Sequence, residues 1–394
     1  MNALTAGEAK AAAAARVAEL REELLAVSHS IAATPELGMH ETHASALLAA
    51  TTERVSGIPV TRGVGGLPTA FLAEAGTGSL SITICAEYDA LPVVGHGCGH
   101  NIIATAALGA FLALAPLVDA FDLTVRLLGT PAEENGGGKV KLLDAGAFDG
   151  THAAIMVHPA PVDVLSMNPY ASNGIRVRFV GKEAHASLSP EQGVNALDAF
   201  TIAATAVGLA RQQLRPGQQI HYAISEPGGA ANVIPGSATA VWMVRGETVE
   251  KLEHVTAIVE RCVRAGALAT GCEVEITRKT TGFYTNILLD HELLEHYHAN
   301  ANALGREPLA VAGPGGSTDM GNVSQVVPAI HPMIGLNRPE LTLHTSDFAR
   351  AAAGPEGDAA ALDGAVLLAQ TALDFATTAA TRERLLSTHP LAQS

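Results

Sequence analysis

The segment GHGCGHN, Gly95 to Asn101, places His96, Cys98 and His100 at every second position between glycines. Imidazole and thiolate are the ligands that borderline divalent metals such as zinc prefer. The same residue types could also form a thiol nucleophile with a histidine base, or a small buried turn. The residues elsewhere in the sequence are needed to distinguish a metal site from a nucleophile or a structural turn.

Polar groups follow three apolar segments that have the composition of buried strands. Open α/β sheets place their sites beyond the carboxyl ends of such strands, so these groups are expected to meet in one crevice. The groups are Glu87 and Asp89 after the strand at 80–86, Glu133 and Glu134 after the strand that begins at Leu123, and His158 in AAIMVHPAP. Far downstream, TLHTSDF adds His344, which could reach the same crevice.

A dinuclear metal site uses all of these groups. Two ions would activate a water, and a free carboxylate beside them would take its proton. We assign the base to Glu133, and we expect Glu87 and Asp89 to orient a ligand histidine or brace the loop. For His96 we expect a role in supporting the ligands or the local structure. The predicted ligands, one of which must bridge the ions, are Cys98, His100, Glu134, His158 and His344.

Each of these residues also has a structural interpretation. A single cysteine is usually a small buried hydrophobe, and adjacent glutamates usually face solvent. A Cys98 nucleophile with His100 or His158 as base is the rival chemistry, but it leaves the glutamate pair and His344 without a role. The joint placement of the groups after apolar strands favours the metal site.

The elements that would position these groups indicate an α/β fold in two domains. Up to about Met167, apolar strands alternate with helical segments, which is typical of a mostly parallel sheet. The segment that follows has the order β-α-β-β-α-β of a ferredoxin-like unit, which would be inserted into a split domain. We predict a catalytic domain over residues 1–170 and 284–394, and an inserted domain over residues 171–283.

Composition limits the classes of partner that the protein is expected to bind and indicates its location. The chain has 394 residues and a net charge of −15, which disfavours nucleic acid and anionic membranes as partners. Four cysteines without a CxxC pair, and an N-terminal segment that lacks signal-peptide features, predict a reduced cytoplasmic protein. The apolar run from Ile102 to Val118 is interpreted as a buried helix, not a membrane span.

The motifs together resemble the aminoacylase and carboxypeptidase G superfamily of metallopeptidases. The similarity is greatest to the cysteine-bearing branch that contains aminobenzoyl-glutamate hydrolase and the β-alanyl-dipeptide hydrolases. It covers nearly the whole chain in order, through AEYDALP, GHGCGHN, GTPAEENGGGK, VHPAP, GKEAHAS, GGAANVIP and GGSTDMGNVS.

The resemblance implies roles for residues that the pattern alone does not select. The five predicted ligands and the base match the family's positions, and the inserted domain would serve as a lid that also forms a homodimer. His185 and Asn232 match positions that reach a substrate carbonyl, in some relatives across the dimer. The implied metals are two divalent ions, with zinc preferred and manganese or cobalt as alternatives.

Substrate contacts are predicted at two further places. Arg245, at the end of a strand, would meet a substrate carboxylate, although an ordinary surface arginine fits the pattern equally. Ser317 and Thr318 lie in the glycine-rich segment, which lacks the lysine of a phosphate loop and would form a pocket wall. In the alternative interpretation of that segment, Asp319 caps the helix that follows.

The resemblance implies a metal-dependent hydrolase of a small N-acyl amino acid or an unusual dipeptide with a free carboxylate. An aminoacylase for aliphatic or aromatic N-acyl groups is the first alternative. A catalytically silent relative that binds peptide or metal is the second.

Overall fold

The computed structural model describes residues 4–278, 283–310 and 314–388. The chain forms two compact units, one made of Met1–Asn168 with Ile287–Ser394 and the other of Pro169–Asn286. The predicted insert, residues 171–283, falls inside the second unit. The first unit carries all the predicted metal ligands.

A six-stranded sheet forms the centre of the first unit. Its strands from Leu123–Gly129 onward pair in parallel, and the two strands at the other edge are antiparallel. The predicted α/β fold with a mostly parallel sheet is therefore confirmed. In spatial order the strands are Val60–Arg62, Phe71–Ala75, Leu123–Gly129, Leu80–Ala86, Ala153–Ile155 and Ala329–Ile330.

The two central strands, Leu80–Ala86 and Leu123–Gly129, are buried along their whole length. Strands covered on both faces have this continuous apolar character because helices pack on each side. A short parallel pair, His158–Ala160 with Met333–Gly335, continues beyond the end of the sheet. Three adjacent strand ends therefore deliver polar residues to one edge.

Helices cover the sheet. The helix His100–Leu114, which follows the histidine motif, is buried at every residue, as the apolar run predicts. Pro355–Thr377 is long and apolar enough by composition to cross a membrane, but most of it is buried in this unit. The helices are Ala6–Glu19, Arg21–Ala33, Thr42–Ser56, His100–Leu114, Gly138–Asp144, His291–Ala303, Met320–Ser324, Ser346–Ala352, Pro355–Thr377 and Ala379–Ser387.

The second unit is a four-stranded antiparallel sheet with two helices, Ala196–Ala210 and Val249–Thr270, and its own core around Trp242 and Phe179. The β-α-β-β-α-β order expected from the sequence is observed. In spatial order the strands are Gln218–Glu226, Ser237–Gly246, Ala171–Val180 and Glu273–Arg278. A separate two-stranded pair joins Ala184–His185 to Val233–Ile234.

Candidate metal centre

The five predicted ligand side chains come together at the carboxyl-terminal edge of the main sheet. The Sγ of Cys98 lies 3.5 Å from His158 Nε2. The Oε1 of Glu134 lies 3.8 Å from His100 Nε2 and 3.7 Å from His344 Nε2. Cys98 and His158 are 60 residues apart in sequence, so distant segments converge in one small volume.

The donor atoms form two overlapping groups. Those of Cys98, His100 and His158 lie within 4.8 Å of one another, and so do those of Cys98, Glu134 and His344. The two groups share Cys98, and a thiolate is able to bridge two ions. The set of one thiolate, three imidazoles and one carboxylate suits zinc and related divalent metals.

Two of these donor atoms also lack a hydrogen-bond partner. Among the residues described, His100 Nε2 and Glu134 Oε1 are buried and form no hydrogen bond. A buried polar atom without a partner is costly, by about 1–3 kcal/mol. A cation between these atoms would remove that cost, so the residues present fit a metal.

Backbone geometry explains the glycines of the motif. Gly99 has φ 75° and directly precedes the helix that His100 begins. A Cβ at Gly99 would lie 2.6 Å from Pro159 Cγ, so only glycine allows this approach. His344 also has a positive φ, of 65°, and its N–H donates to the Gly97 carbonyl at 2.8 Å. The motif and the distant His344 segment are therefore joined through the backbone.

Asp89 orients one of the histidines. Its Oδ1 lies 2.9 Å from His100 Nδ1, and its Oδ2 accepts the Glu134 N–H at 3.0 Å. A carboxylate only accepts, so Nδ1 carries a proton, and Nε2 is the nitrogen that can give its lone pair to a metal. The predicted orienting role of Asp89 is supported by this contact.

The other buried histidine is fixed in the same way. His158 Nδ1 lies 2.8 Å from the Pro159 carbonyl, which leaves Nε2 directed at Cys98. Burial lowers the pKa of His158 to about 3, with the neighbouring His331 and His100 adding to the effect. A neutral imidazole at ordinary pH is the form that binds metals.

Glu133 is buried beside this cluster. A carboxylate oxygen of Glu133 lies within 4.8 Å of donor atoms of Glu87 and His100. Burial raises the pKa of Glu133 well above its ordinary value, and the carboxylates of Glu87 and Asp319 raise it further. A raised pKa gives the carboxylate the proton affinity that a general base needs.

A buried lysine was not anticipated from the sequence. Lys139 Nζ donates to Glu87 Oε1 and, at 2.7 Å, to Asp319 Oδ1, and all three side chains are fully buried. Asp319 Oδ2 also accepts the Lys139 N–H at 2.9 Å. Asp319 makes no side-chain cap to the helix Met320–Ser324, so the capping alternative is wrong.

One signal could have revealed Lys139. It stands three residues before the buried Leu142 in the helix Gly138–Asp144, on the same helical face. His331 was also overlooked. It follows the strand Ala329–Ile330, much as His158 follows the strand Ala153–Ile155, and the two rings are 5.5 Å apart.

The inserted unit holds two of the predicted substrate residues side by side. His185 is exposed and pairs with Val233, while the Asn232 carbonyl accepts the Ala186 N–H at 3.0 Å. Arg245 is half-buried near the C-terminal end of the strand Ser237–Gly246. Within this unit the structure therefore brings His185 and Asn232 together and leaves Arg245 apart from them.

The glycine-rich segment belongs to the first unit. Ser317 is half-buried and Thr318 is buried. The Thr318 hydroxyl accepts the Met320 N–H at 3.2 Å, which supports the start of the helix Met320–Ser324. A substrate-binding role for both residues stays a prediction.

Comparison with known proteins gives consistent matches. The profile of peptidase family M20/M25/M40 matches residues 84–360. The chain is 38% identical over 382 residues to the Xaa-Arg dipeptidase of Mus musculus, covering 93% of this chain and 88% of that protein. It is 33% identical to the B component of the p-aminobenzoyl-glutamate hydrolase of Escherichia coli (strain K12), covering 61% of this chain and 54% of that protein.

Solved structures share the fold. An aminobenzoyl-glutamate utilization protein from Klebsiella pneumoniae superposes with a TM-score of 0.73 at 19% identity, over 91% of this chain and 97% of that chain. A dinuclear metal binding peptidase of the M20 family from Bacillus subtilis gives a TM-score of 0.64 at 22% identity, over 89% and 99%. At these identities the likeness establishes the fold alone.

Proposed function

The chain belongs to peptidase family M20/M25/M40 and is a peptidase or amidohydrolase; we propose that it hydrolyses small dipeptides that carry a free C-terminal carboxylate. The observation that carries the proposal is the convergence of five donor side chains in two groups that share Cys98. Zinc is the preferred metal because of the thiolate and imidazole donors, and manganese or cobalt are the alternatives.

The chemistry follows from the residues around the metal groups. When bound, two divalent ions would polarise the scissile carbonyl and lower the pKa of a water molecule. Glu133 accepts the proton of the attacking water and returns it to the leaving nitrogen. His185 and Asn232 stabilise the oxyanion that forms on the carbonyl. The role of Glu133 is supported by its place beside the metal groups, and the roles of His185 and Asn232 are supported by the family resemblance.

For the substrate, we favour dipeptides with a C-terminal arginine. The support is the 38% identity to an Xaa-Arg dipeptidase over most of both chains. The net charge of −15 also favours the approach of a cationic substrate. N-acyl amino acids are the second candidate class, because of the similarity to a p-aminobenzoyl-glutamate hydrolase. In this proposal Arg245, Ser317 and Thr318 contact the substrate.

We further propose that the inserted unit is a lid and a homodimer interface. Its edge strand Gln218–Glu226 exposes Tyr222 and Ile224, and its helix Ala196–Ala210 exposes Ile202 and Leu209. Exposed apolar side chains on and beside an edge strand are typical of surfaces that associate. A cytoplasmic location is supported by the four cysteines, all of which are free thiols.

A substrate panel tests the function. Metal-stripped protein is assayed before and after addition of zinc, manganese or cobalt, with products identified by mass. The panel holds dipeptides ending in arginine, β-alanyl dipeptides, N-acetyl amino acids and p-aminobenzoyl-glutamate. We expect metal-dependent release of arginine. Cleavage of N-acyl amino acids alone would favour the aminoacylase, and metal binding without any cleavage would favour the silent relative.

A further inference from the structure

The residue before the proposed base is held by a buried carboxylate from a distant segment, and we propose that Glu41 is a positioning residue for Glu133. This inference rests on the proposed function, because it assumes that Glu133 moves the proton. Its test therefore includes variants that separate a failure of positioning from a failure of the base assignment.

The need for positioning arises at Ala132. This residue is fully buried and has φ 59°, in the left-handed region that residues with a Cβ rarely adopt. Such a conformation costs on the order of 1–2 kcal/mol and persists only when surrounding contacts impose it. Glu133 is the next residue, so whatever holds Ala132 also sets the direction in which Glu133 leaves the chain.

Glu41 supplies the restraint. Its Oε1 accepts the Ala132 N–H at 2.7 Å, and its Oε2 accepts the Thr69 hydroxyl at 2.9 Å. The Glu41 side chain is fully buried. Although Glu41 directly precedes the helix Thr42–Ser56, it makes no side-chain cap to that helix. Its carboxylate is committed instead to a loop 91 residues away in sequence.

The same loop is fixed on its other sides. The Ala132 carbonyl accepts the Gly136 N–H at 2.9 Å, and Asp89 accepts the Glu134 N–H at 3.0 Å. The segment that carries Glu41 also packs directly on the loop, because a Cβ at Gly38 would lie 2.8 Å from Ala132 Cβ. Among the residues described, Glu41 is the one whose side chain accepts a hydrogen bond from the Ala132 N–H.

The expected consequence is kinetic. A base displaced by about 1 Å loses on the order of 100-fold in rate, while substrate binding need not change. Removal of the Glu41 carboxylate should therefore lower kcat and leave KM and metal content near those of the wild type. A residue that only stabilised the fold would lower the melting temperature without this split.

The experiment compares Glu41→Ala, Glu41→Gln and Thr69→Val, each with two metal ions loaded, using the best substrate of the panel. Glutamine keeps an acceptor for the Ala132 N–H, and Thr69→Val removes a partner of Glu41 without touching Ala132. We expect kcat to fall about 100-fold in Glu41→Ala, with kcat close to wild type in the other two. Equal losses in Glu41→Ala and Thr69→Val, or no loss in Glu41→Ala, would overturn the proposal.

A second variant keeps the test decisive if Glu41→Ala does not fold. In Glu41→Ala/Ala132→Gly, glycine adopts the positive φ without strain, so folding no longer has to overcome the strain that the restraint offsets. The proposal predicts low kcat here and near-normal kcat in Ala132→Gly alone. If the wild type cleaves nothing on the panel, the proposed function fails; if Glu133→Gln stays active, the base assignment fails.

Discussion

The Asp89 carboxylate lies 2.9 Å from His100 Nδ1 and fixes the ring so that Nε2 faces the other donors. The second oxygen of the same carboxylate accepts the Glu134 N–H at 3.0 Å. One buried side chain therefore orients two proposed ligands that lie on different strand ends. This relationship makes metal affinity depend on a residue that need not contact the metal.

We predict that Asp89→Asn weakens metal binding. An asparagine amide cannot accept hydrogen bonds at both positions, so either His100 or Glu134 loses its orientation. Loss of such a supporting contact typically costs 10–100-fold in metal affinity. Titration of metal-stripped protein with zinc measures the change. The exposed Asp119→Asn serves as control and should bind zinc as the wild type does; equal affinity in both variants would contradict the account.

We predict that Lys139→Met destabilises the metal-free protein strongly. The substitution leaves the buried Glu87 and Asp319 without their common cation. Breaking a buried pair in this way costs about 3–5 kcal/mol. Urea denaturation gives the free energy of unfolding. Lys141→Met, two residues along the same helix and less buried, should cost far less, and similar losses in the two variants would show that the buried cluster contributes little.

We predict acid sensitivity from Glu87. Burial raises the pKa of this carboxyl, but in the metal-free protein the Lys139 ammonium and then the protonated His100 ring outweigh burial and hold the pKa at about 2. The unfolded value is about 4.3. A lowered folded-state pKa contributes stability above the unfolded value, and that contribution is lost as the pH falls from about 4.3 towards 2.

Denaturation of metal-free wild type and Glu87→Gln between about pH 5.5 and 2.5 measures this contribution. The difference in unfolding free energy between the two proteins should shrink as the pH falls. A difference that stays constant over this range would show that the pKa of Glu87 is not lowered by folding.

We predict that His344→Gly separates metal binding from folding. His344 has φ 65° and its side chain is 55% exposed, so glycine adopts the same backbone without strain. Metal content should fall from two ions towards one, with the unfolding free energy of the metal-free protein changed by about 1 kcal/mol or less. Asn337→Gly, at another exposed positive φ, should keep both ions. If His344→Gly retains both ions, His344 is not a metal ligand.

The sequence predicts the site where residue type and strand position coincide. His100, Glu134 and His158 follow apolar strands or glycines. Residue type and position after a strand can both be read locally, and adjacent strand ends meet at one edge of the sheet, so the sequence predicts that these three residues converge. His344 lies outside the strands, and its place depends on a backbone contact to Gly97. The family resemblance, which matches His344 to a ligand position, is therefore a stronger indication for this residue than the strand pattern.

The supporting residues could not be predicted in the same way. Lys139 lies 52 residues from Glu87 and 180 from Asp319, and Glu41 lies 91 residues from Ala132. In a sequence, a charged residue that will be buried looks like a solvated one, because its partners are far away along the chain. Residues that hold a site in place therefore emerge only from tertiary contacts.

The most direct test of the central claim is the activity of Glu133→Gln at measured metal content. The amide keeps the shape of the side chain and cannot accept the water's proton. We predict two bound ions and a kcat lower by about 10²–10⁴-fold, whereas Glu134→Gln should lose metal as well. Full activity of Glu133→Gln with two ions bound would contradict the assignment of Glu133 as the base.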